Sequence, residues 1–344
     1  MKPYLSIIVS SRNDNHGGDM DKRQRIFIRG LIDQANRYKL HVELIVVEWN
    51  PPQEKPYLHE ILPQPKEGDF LSLRYIVVPT EIHTQYRFAH TMPLYQMIAK
   101  NVGIRRAAAD FILCSNVDLL FSNELMEILA AKNLDKKCFY RANRSDIPEQ
   151  IDETLDTQQQ LALARTRIMR QLGRDPDYLY LLNWPGWIYF FSTVAKTLNY
   201  LMSRLRKATM KPVDLLMMNL DTNACGDFTL MHKDAWMDIQ GYPELDLYSI
   251  HIDSMGVIAA TARGYQQHLF PTEACTFHID HYNGWESLSA IEKISFINNR
   301  PGIGWDIVNE AGKKLIEEKL RYDFNKPDWG FANHQFREFV FNPF

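Results

Sequence analysis

Nowhere in this 344-residue chain does an apolar run reach the ~18 residues that a membrane-crossing helix needs. An excess of charge is missing too. With 39 basic against 42 acidic residues the net is −3, so no nucleic-acid-binding surface is announced and any polyanion contact has to be a local patch. Cysteine is scarce, and Cys114, Cys138, Cys225 and Cys275 are too widely spaced to form a metal-type pair. That pattern fits a reducing cytoplasm better than a disulfide framework. There is no GxGxxG, which leaves a dinucleotide site poorly supported, and no GxxxxGK[ST], which excludes a P-loop by pattern. Internal repeats and low-complexity tracts are absent. The opening MKPYLSIIVSSRND enters a strand at once and leaves no room for a leader with a basic start and an apolar stretch. What remains is ordinary globular composition, 45% hydrophobic and 24% charged, and the expectation of a cytoplasmic protein.

The first half alternates two periods. YLSIIVSS (4–11), HVELIVVEWNPP (41–52) and LRYIVVP (73–79) are short β-branched runs. Between and after them, RQRIFIRGLIDQANRY (23–38) and MPLYQMIAKNVGIRRAAA (92–109) carry apolar residues at helical spacing. Continuous Val/Ile strands separated by helices predict an α/β fold whose mostly parallel sheet is covered on both faces. Ligands bind at the carboxyl ends of such strands, so the polar tips near residues 11, 48 and 118 are expected to face one crevice. The fourth strand, AADFILCSNVDLLFS (108–122), places Asn116-Val117-Asp118 inside an otherwise apolar run.

Residues 145–215 break this rhythm. PEQIDETLDTQQQLALARTRIMRQLG (148–173) reads as a polar helix, and the aromatic, then basic segment 178–211 suits a packed helix, an acceptor lid or peripheral membrane contact through 188–211. Beyond it, GDFTLMHKDAWMDIQGYPE (226–244) reads as strand, helix and turn, and HIDSMGVIAATARGYQ (251–266) as a helix opened by Asp253. QHLFPTEACTFHIDHYNGW (267–285) reads as a strand ending in histidines. The aromatic tail FANHQFREFVFNPF is expected to pack back on the domain or on a partner.

In order along the chain, these blocks resemble the nucleotide-sugar-dependent glycosyltransferases of the GT-A fold, exostosin- and galactosyltransferase-like members among them. LSIIVSSRND resembles the family's first strand and donor-binding tip, and LIVVEWNPP its second strand. AKNVGIRRAAADFILCSNVDLLFS resembles the block that ends in the D-x-D motif, with Asn116-Val117-Asp118 at the motif position. GDFTLMHKDAWMDIQGYPE resembles the acceptor-side block, and His251-Ile252-Asp253 falls where such enzymes carry an acidic pair. The resemblance covers most of 4–125 and 224–285. It implies one GT-A-type domain over 1–344: a nucleotide-sugar half (1–125), a helical insertion (145–215), an acceptor and catalytic half (220–290) and a C-terminal extension (291–344).

The resemblance also implies a chemistry. A departing nucleoside diphosphate concentrates negative charge, which a divalent cation, manganese or magnesium, stabilises. Asp118 with His278 or His281 is the expected metal set, since manganese accepts imidazole. Asp253 is the candidate general base for the acceptor hydroxyl, the alternative being a helix N-cap. Glu48 and Asn50 are expected at the nucleoside, Arg12 and Arg105 at phosphate, and Lys100, Asn101 and Asn116 at ribose or donor sugar. Asp227 and Trp285 are expected at the acceptor. The implied reaction moves a hexose from a UDP- or GDP-sugar to a glycan or lipid-linked hydroxyl, with inversion, in glycan or polysaccharide synthesis. The sequence departs from the pattern at Asn116, where the motif's first acid stands in the family. That departure favours the rival reading, a non-catalytic sugar-nucleotide- or glycan-binding protein on a degenerate scaffold. A nucleotidyltransferase ranks third, because SSRNDNHGGDMDKRQR only partly matches the basic glycine-rich loop it needs.

Overall fold

The computed structural model describes residues 2–15, 17–172, 210–281, 300–322 and 324–343. The first half follows the expected alternation: β1 (Leu5–Ser11), α1 (Met20–Tyr38), β2 (Val42–Trp49), α2 (Leu58–Ile61), β3 (Leu71–Val78), α3 (Thr80–His83), α4 (Gln96–Arg106) and β4 (Phe111–Ser115). There follow β5 (Leu119–Phe121), α5 (Asn123–Ala130), β6 (Cys138–Arg141), β7 (Arg144–Ile147), α6 (Thr157–Thr166) and β8 (Arg170–Leu172). After a helix at Pro212–Asn219 come β9 (Phe228–His232), helices Lys233–Asp238 and Ile252–Ala262, β10 (Gln266–Leu269), β11 (Thr276–Ile279), a helix at Trp305–Glu318 and β12 (Arg337–Phe341).

Eight strands form the large sheet in the order β10-β6-β9-β4-β1-β2-β3-β12. Six run parallel; β9, between β4 and β6, and β12, on the β3 edge, run against them. The mostly parallel α/β class expected from the sequence is therefore the observed one. Each face is covered as the strand parity requires. Leu5, Ile7 and Val9 pack with Phe27, Ile28 and Leu31 of α1, while Ile8 packs with Ile98 and Val102 of α4. Gly103 permits that second contact, because a Cβ there would collide with Ile8.

Three readings of the sequence are corrected. The run 108–122 is not one strand: β4 belongs to the large sheet, whereas β5 joins β11, β7 and β8 in a separate four-stranded sheet. Asn116-Val117-Asp118 is the crossing between the two. Residues 148–173 are helical only over Thr157–Thr166, where Asp156 and Gln159 form a capping box, and the polar stretch then enters β8. Of the run 267–285, the described residues 267–281 likewise divide between two sheets, because Pro271 and the turn closed by Ala274 N–H on its carbonyl separate β10 from β11. The tail packs back on the chain, with β12 antiparallel to β3. The segment read as lid or membrane helix, 188–211, lies almost wholly outside the described residues. No described helix is long and apolar enough to cross a membrane.

Candidate functional site

The crossing at 116–118 puts polar side chains where the two sheets meet. Asp118 leaves β4 beside His278 of β11 and His281 just beyond it. His278 Nε2 lies 3.6 Å and His281 Nε2 3.8 Å from Asp118 Oδ2. One ligand atom from each residue can be chosen so that all three lie within 4.8 Å of one another, and among the described residues no other such trio was found. Asp118 Oδ1 is buried and accepts no hydrogen bond. Burial alone would raise the Asp118 pKa, but His278, His281 and Arg23 together hold it well below the usual carboxylate range. Burial likewise opposes charge on His278, yet Asp118 and Asp146 keep its pKa up at about 9. Such a pair of groups, each favouring the other's charge, is what a divalent cation replaces when it displaces the imidazole protons. One carboxylate with two imidazoles suits manganese better than magnesium, which prefers oxygen throughout.

A further layer orients these groups. His278 Nδ1 lies 3.1 Å from Asp146 Oδ1 and 3.0 Å from Arg144 Nη2, so it is offered both an acceptor and a donor. A cation at Nε2 would select the Nδ1–H tautomer, which Asp146 accepts. Arg144 Nε donates to Asp146 Oδ1 at 2.6 Å and Nη1 to Asp227 Oδ2 at 2.8 Å. Arg144 and Asp146, which sequence reasoning missed, sit two apart on β7 and so share a face. That alternation within RSDI was the available signal, obscured by treating 145 onward as an insertion. Gly17, at φ 73°, closes the other side: a Cβ there would lie 2.6 Å from His281 Nδ1. Arg23 donates to the carbonyls of Gly17 and Gly18 and keeps that loop in place.

From the large sheet, Lys100 of α4 reaches the same region fully buried. Its Nζ donates to Asn116 Oδ1 at 2.9 Å and Gly226 O at 2.8 Å. Burial lowers its pKa, opposed by Asp227, Asp253 and Asp118, so Lys100 is within electrostatic reach of all three carboxylates. Asp253, in the first turn of the helix Ile252–Ala262, accepts from Gly226 N–H and from its neighbour Ser254 N–H, both at 2.8 Å. Burial raises its pKa. The residue at the N-cap position is His251, not Asp253. Asp253, Asp227, Asn116, Lys100, Asp118, His278 and His281 thus form one continuous polar region.

The other expected site residues have other neighbours. Glu48 shares the β2 face of Leu44 and Val46, and parity turns it under α1; it is fully buried with both oxygens on Leu58 N–H, at 3.1 and 3.0 Å. Burial pushes its carboxyl up to about 7. Arg12 donates to Asn50 O and pairs with Asp14, and Asn50 bonds Pro93 O and Thr80, so these two residues tie together the loops after β1, β2 and β3. Asn101 holds both the N–H and the carbonyl of Tyr242. Arg105 lies over the Trp329 ring and donates to the carbonyls of Pro327 and Trp329. Neither Asn101 nor Arg105 points to the cluster. Trp285 lies outside the described residues.

No protein-family model and no curated protein matches the chain. Among solved structures it is similar to residues 1–349 of TarS from S. aureus, with 12% identity, TM-score 0.43, and coverage of 80% of this chain and 60% of that one. It is also similar to the catalytic domain of Drosophila beta1,4-galactosyltransferase 7, crystallised with xylobiose, with 9% identity, TM-score 0.36, and coverage of 88% and 82%. The chain therefore spans about three fifths of the TarS chain it matches.

Proposed function

We propose that this chain is a manganese-dependent glycosyltransferase that moves a hexose from a UDP- or GDP-sugar to a hydroxyl of a glycan or lipid-linked acceptor, with inversion. The observation that carries the reading is the group formed by Asp118, His278 and His281 at the carboxyl end of β4. Its carboxylate, Asp118, stands within the block that resembles the GT-A donor motif, and Lys100 links it electrostatically to a second carboxylate, Asp253.

Asp118, His278 and His281 would hold the cation, which when bound supplies positive charge against a departing diphosphate. Asp146 keeps the His278 ring turned so that Nε2 faces the site. Asp253 takes the proton of the acceptor hydroxyl: its carboxyl is held by two backbone N–H groups, and burial brings its pKa toward the range in which a base works. Asp227 is the poorer base because it is ion-paired with the Arg144 guanidinium, whereas Asp253 accepts from neutral backbone N–H groups. It is placed to orient acceptor hydroxyls instead. Attack with Asp253 on the face opposite the leaving group inverts the anomeric carbon in one displacement.

The test is release of nucleoside diphosphate from a panel of UDP- and GDP-hexoses, with manganese and after chelation. The reading expects release with at least one donor, dependent on manganese and lost in Asp118→Ala. Thermal protection by no nucleotide sugar, together with no release from any, removes the donor-site assignment.

A further inference from the structure

The motif position Asn-x-Asp has the look of a metal site that has lost a ligand, but the hydrogen bonds around Asn116 say otherwise. Its amide Nδ2 donates to Asp227 Oδ1 at 2.5 Å. Its carbonyl Oδ1 accepts from Gln96 Nε2 at 2.7 Å and Lys100 Nζ at 2.9 Å. This orientation is fixed. Turned over, the NH₂ would face the Lys100 ammonium and the carbonyl would face the Asp227 carboxylate, whereas Gln96 can present either end of its amide. On its far side Asp227 accepts from Arg144 Nη1, whose guanidinium also holds Asp146, the partner of His278.

We infer that Asn116 is an amide because Asp227 needs a donor at that point, and that Asn116 and Arg144 are positioning residues that grip the Asp227 carboxylate from its two sides. A chain of polar contacts then runs from α4 through Asn116, Asp227, Arg144 and Asp146 to the ring of His278. An aspartate at 116 would not restore a ligand. It would set a carboxylate oxygen where the amide N–H now donates to Asp227, which is 4% exposed, and Lys100 and Arg144, on the two outer oxygens, would not relieve that contact between acids. The two histidines, and not a second acid, complete the cation set. The inference rests on the cation-binding half of the proposed function and not on turnover.

The experiment compares wild type, Asn116→Asp and the double variant Asn116→Asp/Asp227→Asn, by thermal melting and by titration with manganese followed through the free-ion EPR signal. The double variant exchanges donor and acceptor without changing net charge: the new amide at 227 gives its N–H to the acid at 116 and its carbonyl to Arg144. Asn116→Asp is expected to melt below wild type and to bind manganese no more tightly. The double variant is expected to recover the melting temperature and to bring the manganese Kd within a factor of about three of wild type. Should Asn116→Asp be too unstable to purify while the double variant folds, the inference stands. Manganese binding tightened about tenfold or more in Asn116→Asp would show residue 116 to be a vacant ligand position and overturn it. A double variant no more stable than Asn116→Asp would overturn it as well. If wild type binds no manganese the transferase reading falls, and the melting comparison still decides the Asn116–Asp227 pairing.

Discussion

Glu48→Gln isolates a single buried titration. Glu48 is fully buried and accepts from the Leu58 N–H at the start of α2, and burial lifts its pKa from an ordinary 4.5 to about 7. A carboxyl whose folded pKa is raised binds protons more tightly in the native state than in the unfolded chain. Its contribution to stability is therefore fully present below about pH 4.5 and is lost as pH rises through about 7. The full difference is worth about 3 kcal/mol, most of which is lost between pH 5 and pH 8. Glutamine keeps one acceptor for Leu58 N–H and does not titrate. Urea unfolding of wild type and Glu48→Gln at pH 5 and pH 8 should show the variant gaining about 2–3 kcal/mol relative to wild type at the higher pH. A wild-type-minus-variant difference that stays the same at both values would mean that Glu48 ionises freely and that its burial has been misjudged.

Other substitutions probe the region's geometry. Gly17→Ala introduces a Cβ at φ 73° within 2.6 Å of His281 Nδ1, and manganese titration should show affinity lower by about tenfold; unchanged affinity would remove His281 from the cation set. Gly241→Ala, at φ 69°, drives a methyl into the Asn101 amide that holds Tyr242, and should lower unfolding free energy by at least ~2 kcal/mol in urea. Asp253→Asn should cut turnover by about 10²–10⁴ while thermal protection by the donor persists; loss of both together would reassign Asp253 to donor binding.

Much of the large sheet was legible because β1, β2 and β3 are continuous β-branched runs with α1 showing helical periodicity between the first two. The crossing at 116–118 was not, since the runs Phe111–Cys114 and Leu119–Phe121 that flank it read as one apolar strand, and only the strands they pair with reveal two sheets. The tip of β2 shows the limit of position without parity. Glu48 stands at a strand end, where ligand contacts concentrate, but an even spacing from Leu44 and Val46 turns it toward α1. Arg105 reads as a phosphate partner only until the distant Trp329 arrives on top of it. Asp118, His278 and His281 were each nameable from type and order. Arg144 and Asp146 were not, because their alternation fills only a four-residue strand and falls at the start of what reads as an insertion.

Asp118 stands at the head of β5 and His278 on its neighbour β11, in one sheet but about 160 residues apart in the chain. Joining ends so distant is among the slower and more entropically costly closures in folding, so the cation cannot act as a nucleus around which the chain collapses. It finds its ligands only after β5 and β11 have paired. A ligand that arrives so late stabilises the native state but not the transition state that precedes it. Manganese should therefore lengthen the lifetime of the folded protein against unfolding while leaving its refolding rate as it was.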